Sequence, residues 1–259
     1  IFQPGGRAGM TAAALVLAGT RPGGDPFAEG LGVPHKALIE LEGEPLLNRV
    51  ISALRGAGIQ RIAVSCDKGP VADLAIALGA EVLAPGRGPS ASVGLALDAL
   101  GTPLLVTTSD HALLEAGWVR ELIEGTRSDA DVSVMLARRD AIERAMEGTK
   151  RTYLRFADGQ WSGCNLFYLQ SPDAAKAIET WAMVEADRKR PWKIAARLGP
   201  ATLFSMLLGR LSLQEGLERL GRRIGISAQL VAASDGLAAV DVDKQADLDA
   251  VRELLTRKR

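Results

Sequence analysis

Three groups of residues in this chain have side chains that could bind phosphates and a metal ion. The first is the loop Gly19–Gly24, which follows an apolar run, together with Lys36 farther along. Glycines let backbone N–H groups approach a phosphate, and arginine and lysine neutralise its charge. The others are Asp110, which also follows an apolar run, and the pair Asp241 and Asp243. Because one or two carboxylates can hold Mg²⁺ against phosphates, the three groups together are typical of a phosphate and magnesium site.

Each group also has a purely structural interpretation. A loop rich in glycine and proline often does no more than connect a strand to a helix. Asp110 could cap the turn that follows it, and Asp243 could cap a helix that begins near Lys244. These alternatives stay open on the residues alone.

Two known phosphate-binding motifs are excluded. Gly19 and Gly24 have the spacing of a Walker loop, but Asp25 and Pro26 stand where that motif needs Lys and Ser or Thr. A carboxylate at that position would repel a phosphate. The dinucleotide fingerprint GxGxxG is absent as well.

The elements that must position these residues follow from the hydrophobic pattern. Apolar runs of strand length alternate with segments of helical period, which predicts a mostly parallel, Rossmann-like α/β sheet with helices on both faces. Ligands bind to such sheets at the carboxyl ends of the strands, where the phosphate loop and Asp110 are expected. The predicted strands are 12–18, 61–66, 81–84, 103–108, 131–137, 152–156, 161–168, 229–233 and 238–242. The predicted helices are 46–54, 71–78, 90–100, 115–125, 172–187, 213–224 and 244–255.

The chain is interpreted as one domain. Residues 1–10 are expected to form a flexible leader, and residues 11–259 a single domain with a helical insertion near 188–224. With 259 residues, 47% of them hydrophobic, the chain can bury a large core and is not disordered. A formal net charge of zero argues against a nucleic-acid partner.

The sequence also bears on location. No apolar run reaches the roughly 20 residues that a membrane span needs. Cys66 and Cys164 are the only cysteines and show no metal-binding spacing, so a disulfide framework and a zinc site are not expected. The chain is predicted to be cytoplasmic.

The segment 188–223 is strongly basic. It carries nine Lys or Arg against two Glu, interleaved with apolar side chains such as Trp192 and Phe204. It could bind an anionic acceptor, contact a membrane surface or form a dimer interface. It could equally be a pair of helices packed on the sheet with a solvated basic rim.

Taken in order, the motifs resemble those of the MobA-like nucleotidyltransferases. LVLAGTRPGG followed by HKALIELEGEPLLNRVI is similar to that family's LAGG, Arg, Lys and G-x-P-L-L pattern. PSASVG resembles its Ser-Val segment, TTSDHALL its metal-binding turn, GCN its acceptor-side Asn strand and DVDKQADL its D-V-D-T-P-E-D-L ending. The sequence departs from the pattern at Thr20, where the family has Gly, and at Ser109, which also replaces a Gly.

The resemblance implies a Mg²⁺-dependent transfer of a nucleoside monophosphate from CTP or GTP to a small phosphorylated acceptor, with release of pyrophosphate. By position, the catalytic residues would be Arg21, Lys36 and Asp110. Nucleotide would contact Leu17, Ala18, Gly19, Thr20, Arg21, Lys36, Ser90, Ser92 and Asp110. Asp110 and Asp243 would bind the metal, and His111 and Asn165 the acceptor. CTP is mildly preferred, because of the D-V-D ending and the basic segment.

Two other functions fit the same residues. A related GT-A glycosyltransferase would use Asp110 to bind the metal of an NDP-sugar. A non-catalytic nucleotide-binding protein is compatible with the altered LAGT loop.

Overall fold

A mixed, mostly parallel sheet forms the centre of the molecule. The computed structural model describes residues 12–20, 23–149, 151–186, 205 and 208–257. Its main sheet has eight strands in the order β10-β7-β9-β6-β1-β4-β5, with β8 paired to β9. The strands are β1 (Ala13–Leu17), β2 (Glu40–Leu41), β3 (Glu44–Pro45), β4 (Ile62–Ser65), β5 (Glu81–Leu83), β6 (Leu104–Thr108), β7 (Val132–Arg138), β8 (Leu154–Phe156), β9 (Gly159–Leu169) and β10 (Ala228–Ala232). Strands β2 and β3 form a separate two-stranded ribbon.

Nine α-helices are found among the described residues, and they cover both faces of the sheet. They are α1 (Pro26–Gly30), α2 (Leu46–Gly56), α3 (Pro70–Ala77), α4 (Pro89–Leu100), α5 (Ala116–Gly125), α6 (Arg139–Ala145), α7 (Ala175–Ala186), α8 (Leu213–Ile224) and α9 (Gln245–Arg257). Three short 3₁₀ helices span Lys36–Leu38, Pro172–Ala174 and Gly236–Ala239. The predicted fold class is confirmed.

Strand β1 shows why both faces carry helices. Successive side chains of a strand point to opposite faces, so an apolar run buries residues on each side. Ala14 and Val16 join one hydrophobic core with α2, α5 and α9, whereas Ala13 and Leu15 join a second core with α4 and α7. Leu15 and Val16 are fully buried. This packing fixes β1 in the middle of the sheet and its end at the site.

Strand direction brings the loops together at one edge. Strand β1 pairs in parallel with β4 and β6, and β4 in parallel with β5. The carboxyl ends of these strands therefore meet, and the segments that follow them share one edge of the sheet. Strand β9 runs antiparallel between β6 and β7. Its pairing of Val106 with Phe167 puts Asn165 two residues farther toward the same edge.

Most predicted elements are confirmed, and one is wrong. Residues 238–242 do not form a strand, because Gly236–Ala239 is a 3₁₀ helix followed by extended chain. The side chain of Asp235 accepts from the backbone N–H of Leu237, which starts this helix locally. Its apolar residues are buried, as expected, but against α6 and the sheet rather than in a ladder. Helices α1 and α6 were not predicted.

Helix α8 begins as the sequence indicates. The Ser212 side chain accepts from the N–H of Glu215, and the Glu215 side chain accepts from the N–H of Ser212. The helix ends at Gly225, whose positive φ of 73° is the left-handed cap. Residues 1–11 and the greater part of the segment 188–207 lie outside the described residues, so the predicted leader and most of the basic insertion are not placed.

Removing this cap is expected to cost stability. Ser212→Ala leaves the N–H group of Glu215 without its side-chain partner, whereas the N–H of residue 212 can still donate to the Glu215 side chain, so the free energy of unfolding should fall by about 1 kcal/mol. Chemical denaturation of the two proteins measures the difference. Ser128→Ala, which alters an exposed serine outside any helix, is the comparison, and an unchanged midpoint for Ser212→Ala would show that water replaces the cap without loss.

Both cysteines are buried thiols. Cys66 and Cys164 form no disulfide, and burial raises the pKa of each, that of Cys66 to about 11. Within the described residues, no helix is long and apolar enough to cross a bilayer.

Candidate active site

Three of the predicted site residues meet at the carboxyl edge of the sheet. Lys36 Nζ lies 2.7 Å from Asp110 Oδ2 and 2.6 Å from Asp243 Oδ1. These residues are 74 and 207 positions apart in the sequence, so only the fold brings them together. Lys36 and Asp110 are largely buried, with side chains 12% and 17% exposed, whereas Asp243 is 61% exposed. The exposed side leaves an approach for a ligand from solvent.

The charges at this cluster are firmly held. Burial opposes the charge of Asp110, but the ammonium of Lys36 outweighs it and lowers the pKa of that carboxyl below its ordinary value. Burial likewise opposes the charge of Lys36, but Asp110 and Asp243 raise the pKa of the ammonium above its ordinary value. Carboxylate and ammonium are therefore both ionised at neutral pH.

The cluster fits the predicted magnesium. Two carboxylates converge on one cation, and Asp110 Oδ1 is a buried oxygen without a hydrogen-bond partner in the part of the chain described. Magnesium is usually bound by one or two carboxylates plus substrate phosphates and waters. No group of three or more His, Cys, Asp or Glu able to hold a metal occurs among the described residues, so phosphates would have to complete the coordination.

Local structure explains how Lys36 reaches the carboxylates. His35 Nδ1 accepts from the N–H of Ala37 and caps the short helix that starts at Lys36. Burial lowers the pKa of His35, and a hydrogen bond to the Gly19 backbone opposes that shift. His35 thus connects the lysine to the loop after β1.

Backbone hydrogen bonds hold Asp110 in its turn. The N–H of Ser109 donates to the carbonyl of Leu17, which joins the end of β6 to the end of β1. The N–H of Val242 donates to the carbonyl of Asp110 and brings the segment with Asp243 alongside. Sequence reasoning had left open whether Asp110 merely caps a turn, and the structure puts its side chain on Lys36.

The loop after β1 is only partly described. Leu17 and Ala18 are held by backbone bonds to neighbouring strands, and Gly19 and Thr20 are exposed at the edge. Arg21 lies outside the described residues. Gly23 and Gly24 both have positive φ, 95° and 80°, which other residues rarely adopt. Asp25, the residue that excluded a Walker loop, instead caps α1 by accepting from the N–H groups of Phe27 and Ala28.

Ser90 and Ser92 lie in the first turn of α4, next to this loop. The Ser92 hydroxyl accepts from the N–H of Gly86, and Ser90 Oγ donates to Glu185 Oε2 of α7 at 2.6 Å. Gly19 in turn lies close to Pro85, so the loops after β1 and β5 adjoin. Both serines are buried and engaged within the protein, and their contact with nucleotide stays a prediction.

The two predicted acceptor residues have different surroundings. His111 is completely buried and stacks on Trp118, and burial lowers its pKa to about 4, so it is neutral at pH 7. Asn165 adopts a positive φ of 49° on β9, and its side chain acts to lower the pKa of Asp241. Asn165 therefore borders the site, whereas the ring of His111 has no exposed surface in this structure. Their acceptor contacts remain predictions.

Two further residues, Asp241 and Arg151, lie beside the cluster. Asp241 is 13% exposed, and its Oδ2 lies 3.7 Å from Arg151 Nη2, which is 15% exposed. Burial, with repulsion from Asp110 and Asp243, raises the pKa of Asp241 to about 7, although Arg151 and Asn165 partly offset the shift. The D-V-D motif pointed to Asp241, but nothing in its local sequence marks Arg151.

The raised pKa of Asp241 predicts a pH dependence of stability. The folded state binds this proton more tightly than the unfolded state, whose pKa is near 3.8. The protonated Asp241 therefore stabilises the folded state fully below about pH 4, and this stabilisation is lost as the pH rises toward 7. Each unit of difference between the folded and unfolded pKa contributes at most about 1.4 kcal/mol to the free energy of unfolding. Asp241→Asn, which stays neutral, should therefore lose less stability over this range than the wild type.

The lowered pKa values of Asp110 and His111 make the protein more stable as the pH rises, which opposes the effect of Asp241. Because both proteins contain Asp110 and His111, the difference between their pH profiles reports on Asp241. Denaturant unfolding at several pH values between 4 and 8 makes the measurement, with the exposed Asp98→Asn as control. Parallel curves for wild type and Asp241→Asn would contradict the assignment.

The chain was compared with known proteins. The sequence profile of the MobA-like NTP transferase domain matches residues 14–223. A hypothetical transferase from Thermus thermophilus is 32% identical, with a TM-score of 0.79 over 92% of this chain and 100% of that one. No curated protein sequence matches significantly.

Two further solved structures share the fold at low identity. A CMP:2-keto-3-deoxy-manno-octonic acid synthetase complexed with CTP is 16% identical, with a TM-score of 0.59 over 96% of this chain and 100% of that one. A 4-diphosphocytidyl-2C-methyl-D-erythritol synthase is 14% identical, with a TM-score of 0.58 over 95% of this chain and 98% of that one. With the profile spanning most of the sheet and the lysine–carboxylate cluster at its edge, this chain belongs to the MobA-like NTP transferase family and is a nucleotidyltransferase.

Proposed function

We propose that the protein transfers a nucleoside monophosphate from CTP or GTP to a small phosphorylated acceptor, with Mg²⁺, and releases pyrophosphate. The observation that carries this proposal is the convergence of Lys36, Asp110 and Asp243 at the carboxyl edge of the sheet. A triphosphate bound over Gly19 and Thr20 would bring its phosphates to this cluster. Arg21, which follows Thr20 in the same loop, would add a second cation.

The chemistry needs positioning more than proton transfer. A phosphomonoester has its second pKa near 6, so at neutral pH it is largely a dianion and needs no general base. One of its oxygens forms a bond to the α-phosphorus while the bond from that phosphorus to the pyrophosphate oxygen breaks. Lys36 can bind the phosphate oxygens on which negative charge develops, and Asp110 and Asp243 would hold a Mg²⁺ ion that would supply further charge neutralisation. His111, which is neutral and buried, is not required as a general base in this step.

CTP is the preferred nucleotide. Two structures with the same fold are named for cytidine chemistry, one complexed with CTP and one a diphosphocytidyl synthase. At identities of 16% and 14%, these likenesses show the fold alone. GTP is the second candidate.

Thermal unfolding with each of the four NTPs, their NDPs and several NDP-sugars, with and without Mg²⁺, tests the proposal. A ligand at about 100 times its Kd stabilises the protein by about 2.7 kcal/mol, which raises the Tm by several degrees. We expect one NTP to stabilise the wild type in the presence of Mg²⁺ and to have no effect on Asp110→Ala. That nucleotide is then used to screen phosphorylated acceptors for pyrophosphate release.

The other outcomes point to the alternative functions. Stabilisation by an NDP-sugar alone would identify a GT-A-type glycosyltransferase. Stabilisation by an NTP without pyrophosphate release for any phosphorylated acceptor would favour a non-catalytic nucleotide-binding protein. Absence of any shift would overturn the proposal.

The cellular location and the interaction partners of the enzyme are also part of this proposal. The cytoplasm is favoured because both cysteines are buried free thiols. A membrane contact or a homodimer through 188–223 concerns residues that are mostly outside the described part of the chain.

A further inference from the structure

A polar pocket lies next to the carboxylate cluster, to which it is joined by the contact between Arg151 and Asp241. It has a volume of about 370 Å³ and is bordered by α6, the loop before β8, β8 itself and the start of β9. Three arginines line it, Arg139, Arg151 and Arg155, against one acidic residue, Glu143. An excess of guanidinium groups around a small concave site favours an anionic ligand, since arginine donates paired hydrogen bonds to phosphate or carboxylate oxygens.

The three arginine side chains differ in the contacts that they already make within the protein. Arg139 is held by Glu143 at 2.6 Å and by Gln160 at 3.2 Å, and its guanidinium lies over the Tyr153 ring. Arg151 pairs with Asp241 at the long distance of 3.7 Å. Arg155 is exposed, and its side chain makes no hydrogen bond or ion pair within the described ranges. Arg155 is therefore the cation most available to a ligand.

An unpartnered hydroxyl gives a second and independent indication. Tyr153 lines the same pocket, and its Oη is buried without a hydrogen-bond partner among the residues described. Burial raises the pKa of Tyr153, so the hydroxyl stays protonated and can donate. A buried donor without a partner is costly, and an anionic oxygen in the pocket would satisfy it if the Tyr153 side chain shifts enough to expose the hydroxyl.

Topology separates this pocket from the nucleotide loops. In the strand order, β1, β4 and β5 lie on one side of β6, and β9 and β7 lie on the other. The loops after β1 and β5 are on the first side, the arginine pocket is on the second, and Asp110 follows β6 between them. Arg151 joins the two regions, because its partner Asp241 is coupled electrostatically to both Asp110 and Asp243.

We propose that this pocket, through Arg151, Tyr153 and Arg155, binds the phosphate group of the acceptor. The inference rests on the proposed function, since it names the site for the second substrate of that reaction. A phosphate held by Arg151 lies beside the carboxylate cluster, where the α-phosphate of the nucleotide is expected. The volume of the pocket fits a small phosphate monoester.

Inorganic phosphate is the probe for the test, because the acceptor itself is not identified. Calorimetric titration at pH 8 without Mg²⁺ is carried out on the wild type, Arg155→Gln and Tyr153→Phe. Loss of a charge-assisted contact should weaken binding by about tenfold or more in Arg155→Gln, and loss of the hydroxyl by a smaller factor in Tyr153→Phe. Arg155 is exposed, so its replacement leaves the fold intact, which the Tm verifies.

Two control variants separate this pocket from other anion sites. Arg144→Gln removes an exposed arginine from the same helix as Arg139 but outside the pocket, and Lys36→Met removes the cation of the nucleotide site. Both should bind inorganic phosphate as the wild type does. Weakening by Lys36→Met with retention in Arg155→Gln would place phosphate at the nucleotide site, and equal weakening by Arg144→Gln would show only general charge attraction. Either result, or no binding to the wild type, overturns the inference.

Nucleotide binding by the same variants keeps this inference distinct from the proposed function. Arg155→Gln should retain the Mg²⁺-dependent rise in Tm that an NTP causes, whereas Lys36→Met should lose it. An absence of that rise in the wild type would refute the proposed function whatever the phosphate titration shows.

Discussion

Asp110→Asn should reduce pyrophosphate release by roughly a hundred- to a thousandfold, the range seen when one group that stabilises transition-state charge is removed. Asparagine preserves the shape of the side chain but removes the charge that faces Lys36 at 2.7 Å and that would hold Mg²⁺. The loss should appear in kcat/KM for the NTP, because both metal binding and the placement of Lys36 depend on the carboxylate. Steady-state release of pyrophosphate measures it once an acceptor is known.

The matched control is Asp98→Asn, which neutralises an exposed carboxylate on α4. Its activity should equal that of the wild type. Asp243→Asn is expected to have a smaller effect than Asp110→Asn, because Asp243 is far more exposed and its charge is screened by water. Full activity in Asp110→Asn, with its Tm unchanged, would exclude Asp110 from catalysis.

Gly236→Ala should be among the most destabilising single substitutions in the chain. A Cβ at position 236 would lie 2.3 Å from the carbonyl oxygen of Ala141 and 2.4 Å from the backbone nitrogen of Ile142. Because these are backbone atoms of α6, no side-chain rotation can relieve the overlap. Overpacking of this kind costs about 3 kcal/mol or more, which corresponds to a fall in Tm of about 10 °C in a protein of this size.

Gly117→Ala is the control for this substitution. Gly117 lies in α5 and a Cβ there meets nothing within 4 Å, so alanine should leave the Tm unchanged or slightly raised. Gly236 also precedes Asp241 and Asp243 closely, so the variant should lose NTP-dependent stabilisation along with stability. An unchanged Tm in Gly236→Ala would mean that α6 and the 3₁₀ helix can separate without cost.

Local pattern was sufficient for most of the fold. The apolar run that forms β1 and the spacing of Leu47, Val50 and Leu54 in α2 identify their elements directly, because burial on a known period decides both. The run Ala238–Val240 gave a wrong strand prediction, because a short apolar segment can be buried equally well as a strand or as a 3₁₀ helix. Here Asp235 and Gly236 decided the outcome, through a side-chain cap and a close approach to α6.

Only the site residues that stand in recognisable sequence motifs could be predicted. Lys36, Asp110 and Asp243 each stand in a recognisable segment, and the structure brings all three together. Arg151 and Tyr153 stand in no such segment. Their placement depends on the pairing of β8 with β9 and on the loop that precedes it, which no local periodicity records.

The contact between Lys36 and Asp243 has a consequence for the newly made chain. These residues are 207 positions apart, and β9, which completes the centre of the sheet beside β6, ends well before Asp243 is synthesised. A chain whose synthesis has reached the end of β9 contains Lys36 and Asp110 but lacks the second carboxylate. The charged cluster can therefore be completed only after all ten strands have been synthesised, and a product that terminates before Asp243 lacks one of its two carboxylates.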